Sequence, residues 1–252
     1  MSGLLSIAAV SYANTFPFVY GIENTGSLHN YKLVLLPPAQ CATCFAAKKA
    51  DIALVPAGAL PEFSDYKIIT NFCIGAVNEV KTVLLLSNKC IGEVKSIGLD
   101  IESATSVRLV RILAKHYWKI FPQWRSLDVN KHHEFKDTDA FVVIGDKAIG
   151  FEEHFAYKKD LAAEWQRFTG LPFVFAVWVS RKDLPEHTIN EFSSALQYGI
   201  DHIDDVVIKY QPSISAAFDL ATYYSRNIDY RFDDTKRNSL RKFLNFVASE
   251  DL

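Results

Sequence analysis

Clusters of polar residues, most of them bearing hydroxyl or amide groups, recur in this chain at the places where an α/β protein presents ligands. Ser11, Tyr12, Asn14 and Thr15 follow the apolar run from Leu4 to Val10; Ser103, Thr105 and Ser106 follow Ser96 to Leu99; Gly145 and Asp146 follow Ala140 to Ile144; Thr82 opens the run TVLLLS. Groups of this kind can hydrogen-bond a ligand, and no Ser, His and Asp context singles out a nucleophile among them. In open α/β sheets the crevice beyond the carboxyl ends of the strands is where ligands bind. Thr105 and Ser106, at a helix start, add unpaired backbone N–H groups and a partial positive charge suited to a carboxylate. Each residue alone also has a plainer role: Thr105, Ser106 and Asn14 as helix caps, Asp146 as the cap of a turn. Recurrence at strand ends raises the joint reading above the separate ones.

Other chemistries find no pattern. The seven His residues are scattered without HExxH, His132 and His133 are adjacent and so point apart on regular structure, and the pair Cys41 and Cys44 (CATC) has no second pair at zinc spacing, so no metal is expected. The same C-x-x-C at a helix start has a redox reading, ranked below two small buried residues on one helix face. There is no G-x-S-x-G elbow, no G-x-x-x-x-G-K-[ST] and no G-x-G-x-x-G.

The elements that position these residues read as alternating strands and helices. Strands are expected at 4–10, 31–36, 51–55, 82–87, 96–99, 140–144 and 173–179. Helices are expected at 38–49, from Thr105 or Ser106 to Trp118, and at 160–169. Alternation of this kind implies a mainly parallel sheet covered by helices. From Pro185 onward the pattern turns to helices alone, roughly 185–209, 213–224 and 233–249, with Ser213 and Asp233 as caps. The chain has 252 residues, 49% hydrophobic, with 27 Lys plus Arg against 29 Asp plus Glu. It can bury a sizeable core, as one domain or two. The balanced charge lacks the basic footprint of a nucleic-acid binder. No apolar run is long enough to span a bilayer, and the N-terminus MSGLLSIAAVSYANTFPF reads as a first strand rather than a signal peptide. With four cysteines that make no disulfide scaffold, a cytoplasmic location is expected.

Several motifs in one order carry a resemblance. SYANTFPFVYG (Ser11 to Gly21), PPAQCATCFAAKKADIALVPAGAL (Pro37 to Leu60), VKTVLLLS (Val80 to Ser87), SATSVRLVRILAKHYW (Ser103 to Trp118), VVIGDKAI (Val142 to Ile149), AEWQRFTGLPFVFAVWVSR (Ala163 to Arg181) and a C-terminal IDYRFDDTKRNSLRKFLNFV resemble the chorismate dehydratase family of the futalosine route to menaquinone. The resemblance covers nearly the whole chain. It implies a type II periplasmic-binding-protein-like α/β fold used as an enzyme, with two α/β lobes and an interlobe cleft. The lobes would be residues 1–80 plus 181–252, and residues 81–180, with strand crossings near Val80 and Trp178.

The implied activity is a hydro-lyase reaction, chorismate to 3-[(1-carboxyvinyl)oxy]benzoate, without a cofactor; the implied partner is that small molecule, with neither nucleic acid nor membrane. Carried over by position, Asn14 and Thr82 resemble the polar pair facing the reacting ring. Ser11, Tyr12, Ser103, Thr105, Ser106, Gly145 and Asp146 resemble substrate-binding positions. Thr82 stands where the family more usually has Ser, and Ala13 where it commonly has a larger aliphatic residue. None of the matched positions is a His, Lys or Glu suited to general-base work, so the expected base is the substrate's own enolpyruvyl carboxylate, with Asp146 as the alternative. Lys81, Arg108 and Lys147 lie near the matched motifs, with surface ion pairing their default. A cytoplasmic carboxylate-binding protein or sensor, and the related dihydroxynaphthoate synthase, stand as the competing readings.

Overall fold

Apolar, β-branched runs that are buried on both faces form the centre of two mixed sheets in the computed structural model, which describes residues 4–128, 138–181 and 183–250. The first sheet has the order β11-β4-β10-β3-β1-β2. Its strands are β1 (Leu5–Val10), β2 (Tyr31–Leu36), β3 (Ile52–Pro56), β4 (Lys67–Ala76), β10 (Phe173–Ser180) and β11 (Asp229–Arg231). The second has the order β7-β6-β8-β5-β9, from β5 (Val83–Ser87), β6 (Ser96–Asp100), β7 (Gln123–Leu127), β8 (Ala140–Ile144) and β9 (Tyr157–Asp160).

Strand β1 runs parallel to β2 and β3, as a βαβ reading requires. Strand β10 then enters antiparallel between β3 and β4, and β5 is antiparallel to both β8 and β9. The mainly parallel sheet expected from alternation is therefore mixed in both cases. The run FVFAVWVS, buried at every position, has the continuous hydrophobicity of a central strand. It belongs to the first sheet, whereas the expected division ended the second lobe at residue 180. The chain crosses between sheets at 77–82 and 170–172, and Trp178 lies inside β10. Register between β10 and β4 slips by one residue at Phe175, between the pairs Val174↔Gly75 and Ala176↔Ile74. Such a bulge re-aims local groups.

In β5 the two-residue period splits the side chains. Leu85 joins the large core that also contains β1, β3 and β10, while Leu84 and Leu86 join a smaller cluster with Phe141 and Val143 on the other face. Helices α1 (Phe16–Asn24), α2 (Pro38–Ala46), α3 (Ala104–Ile112), α4 (Leu161–Thr169), α5 (Glu186–Asp201), α6 (Ile203–Tyr210), α7 (Leu220–Thr222) and α8 (Asp234–Glu250) cover the sheets. Helices α1 and α5 touch backbone to backbone: a Cβ on Gly199 would lie 1.7 Å from the Pro17 carbonyl oxygen.

Differences from expectation have local causes. The C-terminal layer is not purely helical, because β11 adds an edge strand to β4. The long helix expected at 185–209 bends at His202, which separates α5 from α6 while its ring stacks on Tyr198. The helix expected at 213–224 is a 3₁₀ turn at Gln211–Ser213 followed by α7, capped by Asp219 rather than Ser213, which runs on into a π turn. Helix α3 also passes into a π turn, over Leu113–Trp118. Strand β4, KIITNFCIGA, is an addition to the expected strands, its apolar pattern being interrupted at Thr70 and Asn71.

Candidate active site

Strand β1 ends in a 3₁₀ turn, Ala13–Thr15, before Pro17 opens α1; Pro suits that position because its fixed φ is already helical. This turn faces the start of α3 across a cavity. Its polar wall is built by Tyr12, Asn14, Ser103, Thr105, Ser106 and Gly145, and its apolar wall includes Val10, Val80, Val83, Ile144 and Phe175. Ser11, Thr82 and Asp146 do not line it.

At α3 the sequence Ser-Ala-Thr-Ser acts as a cap. The Ser103 hydroxyl oxygen accepts from the Ser106 N–H at 3.0 Å. The N–H groups of Ala104 and Thr105 fall in the helix's first turn, where no carbonyl of the helix itself can accept from them. The Thr105 hydroxyl is committed elsewhere: it accepts from the Gly58 N–H and donates to the Phe175 carbonyl at the β10 bulge, both at 3.0 Å. It therefore staples the start of α3 to the first sheet. The Ser106 hydroxyl has no protein partner among the described residues, and it borders the cavity. Opposite, Thr15 Oγ1 donates to Asn14 Oδ1 at 3.0 Å and Tyr230 Oη donates to the Asn14 carbonyl at 3.0 Å. The Asn14 NH₂ is left without a protein acceptor among the described residues.

The residues outside the cavity have defined places. Thr82 is fully buried behind it, its Oγ1 2.8 Å from Tyr223 Oη and its carbonyl accepting from the Gly145 N–H. Asp146 turns its carboxylate onto the Ala13 N–H at 3.0 Å, and burial raises its pKa against the opposing pull of that bond. Ser11 gives its N–H to the Leu36 carbonyl at the end of β2. Gly145, at φ +64°, lies against the Tyr12 ring, which a Cβ would meet at 2.5 Å.

Sequence reasoning missed Glu102. Tyr12 Oη donates to Glu102 Oε2 at 2.8 Å, and Lys147 Nζ donates to the same oxygen at 2.5 Å. Burial alone would raise the Glu102 pKa, but these two donors outweigh it and hold the carboxyl below its ordinary value. Tyr12, raised by burial and then by Glu102, stays a neutral donor. Asp100 is pushed up to about 6 by burial, opposed by the Glu102 N–H on its Oδ1, and its Oδ2 is buried without a partner. Only the acidic pair in D-I-E-S, just before the cap, could have signalled this network. Tyr223 and Tyr230 left no signal, being remote in sequence. Lys81 and Arg108 pair with Glu79 and Glu62.

Among the described residues no group of three or more His, Cys, Asp or Glu side chains is arranged to hold a metal, and no helix is long and apolar enough to cross a membrane. His132 and His133 lie outside the described residues. The Cys41 thiol is buried, which pushes its pKa up to about 12, the opposite of an activated redox thiol. No lining residue is a His, Lys, Arg, Asp or Glu. The cavity thus offers hydrogen-bond donors and apolar surface, with Tyr12 its one titratable side chain.

Comparison with known proteins adds the family. Residues 5–249 match the model of a family described as menaquinone biosynthesis. A chorismate dehydratase from Thermus thermophilus is 22% identical, the match covering 92% of this chain and 91% of that protein. Among solved structures, protein AF1704 from Archaeoglobus fulgidus aligns with TM-score 0.76 at 14% identity over 98% of this chain and 97% of the other. The periplasmic aliphatic sulphonate binding protein SsuA from Escherichia coli aligns with TM-score 0.67 at 12% identity over 100% and 94%. The fold is periplasmic-binding-protein-like, and with nearly its whole length matched the chain belongs to the menaquinone biosynthesis family.

Proposed function

We propose that the protein dehydrates chorismate to 3-[(1-carboxyvinyl)oxy]benzoate in the cavity between the Asn14 turn and the start of α3, with the two sheets as the cores of two lobes. The observation that carries the reading is a mostly apolar cavity that carries uncommitted donors at Asn14, Ser106 and the first turn of α3 and is lined by no carboxylate, imidazole or amine. This elimination needs little else. The ring carboxylate makes the C3 proton acidic through the conjugated diene. The C3–H electron pair becomes the new ring double bond as the C4–O bond breaks. The hydroxyl departs as water with the abstracted proton, and aromaticity makes the step downhill.

In this reading the Ser106 hydroxyl and the free N–H groups of α3 hold one carboxylate, using the helix-start charge. The Asn14 NH₂ faces the ring, and the apolar wall excludes water. The enolpyruvyl carboxylate takes the C3 proton. Asp146 acts through the Ala13 N–H that it binds, holding the Asn14 turn in place. Thr82 acts from behind, through Tyr223. The match to a chorismate dehydratase over most of both chains supports this choice of substrate.

Incubation with chorismate, followed by loss of diene absorbance and growth of a benzoate spectrum, tests the proposal. Tight binding of chorismate without product would instead favour a sensor or a binding protein, the latter being what SsuA is named as.

A further inference from the structure

Glu102 joins three pieces of the cavity rim. Its carboxylate accepts from Tyr12 Oη at 2.8 Å, after β1, and from Lys147 Nζ at 2.5 Å, after β8. Its carbonyl accepts from the Ala39 N–H at 3.3 Å, at the start of α2. Each partner lies in or beside the wall: Tyr12 itself, Pro38 next to Ala39, Gly145 two residues before Lys147, and Ser103 next to Glu102. Asp100 Oδ1 fixes the Glu102 N–H at 2.9 Å, so the residue is held from behind as well. Side chains of Glu102 and Lys147 are about a quarter exposed, 25% and 24%. The network thus sits at the rim, where bonds can open without unpacking the core.

We infer that Glu102 is a positioning residue that latches the two sides of the cavity together, fixing the Tyr12 ring as a wall and keeping the cleft shut around its ligand. The Lys147 ammonium keeps the latch carboxylate ionised, and a charged acceptor makes the Tyr12 bond stronger than a neutral one. Chorismate as the ligand rests on the function proposed above; the latch itself does not.

The test uses the full chain without ligand first. Amide hydrogen exchange is read at Ala13, whose N–H reaches across to Asp146, and at Ala39. Glu102→Ala and Tyr12→Phe are each expected to speed exchange there on the order of tenfold, the loss of one charge-assisted hydrogen bond. The double variant should be no faster than Glu102→Ala, because both remove the same bond. Glu102→Gln, which still accepts from Tyr12 but without the charge, should restore part of the slow exchange, falling between Glu102→Ala and the parent. With chorismate, Glu102→Ala should raise KM on the order of tenfold and leave kcat near its original value, whereas Asn14→Ala should lower kcat. Unchanged exchange in both single variants, additive effects in the double variant, or exchange in Glu102→Gln no slower than in Glu102→Ala would overturn the latch. Faster exchange in a protein that does not turn over chorismate would leave the latch standing and remove the proposed reaction. If Glu102→Ala does not fold, Tyr12→Phe carries the same comparison against Glu102→Gln.

Discussion

Gly58→Ala is the perturbation that most directly tests how the start of α3 is held. The glycine lies in the 3₁₀ segment Ala57–Glu62 after β3. A Cβ there would fall 2.5 Å from the Ala104 carbonyl oxygen, 2.7 Å from Thr105 Cα and 2.8 Å from the Ala104 carbonyl carbon. All three are backbone atoms, so no side chain can swing away. The helix start must retreat by nearly an ångström to restore ordinary contact, and this pulls on the 3.0 Å bond from the Gly58 N–H to Thr105 Oγ1. Overpacking of this kind costs about 1–3 kcal/mol, and the weakened buried hydrogen bond adds roughly 0.5–1.5 kcal/mol. A shift of about 1 Å in a group that orients substrate lowers turnover on the order of 10²-fold. The assays are urea unfolding with midpoint and slope compared, and chorismate turnover. Thr105→Val, made alone and together with Gly58→Ala, should be clearly non-additive, since both act on one contact. A variant within about 0.5 kcal/mol of the parent and with unaltered kinetics would refute the stapling of α3 to the first sheet.

Thr82→Val keeps the shape of the side chain and leaves the Tyr223 hydroxyl buried without its partner; it should cost about 1–3 kcal/mol in denaturant unfolding with KM little changed, and a selective collapse of kcat at full stability would instead put Thr82 on the substrate. Asp146→Asn should lower activity modestly by loosening the Ala13 contact, whereas a loss of several orders of magnitude with binding intact would make Asp146 the base. Asp100 has a folded pKa of about 6 against 3.8 for the free group. The native state therefore binds its proton more tightly, and its contribution is fully present below pH about 4 and lost as pH rises through about 6, roughly 3 kcal/mol in all. Asp100→Asn should remove that slope from the pH dependence of unfolding free energy, and an identical slope in both proteins would contradict the burial argument.

Much of the cavity could be read from the chain before folding, because it depends on local rules. Pro17 lies in the first turn of α1, and runs such as IALVP and FVFAVWVS declare strands by composition alone, although the cap of α3 is Ser103, bonded to the Ser106 N–H, and not the expected Thr105 or Ser106. The polar residues at the ends of β1, β6 and β8 follow from the same local pattern, and Tyr12, Asn14, Ser103, Thr105, Ser106 and Gly145 do meet around one cavity.

What each hydroxyl or carboxylate touches depended instead on partners far along the chain. Thr105 meets Gly58 across 47 positions, Tyr12 meets Glu102 across 90, and Thr82 meets Tyr223 across 141. No periodicity links such pairs. The insertion of β10 between β3 and β4 was equally hidden, since a buried strand looks the same whichever sheet receives it. By itself the sequence determined which residues are polar at strand ends and helix starts, since propensity and capping act within a few residues. Only the tertiary structure decided which of those groups remain free for a ligand and which are spent holding the two sheets together, because a hydrogen bond goes to whichever partner the completed packing brings within 3 Å or so.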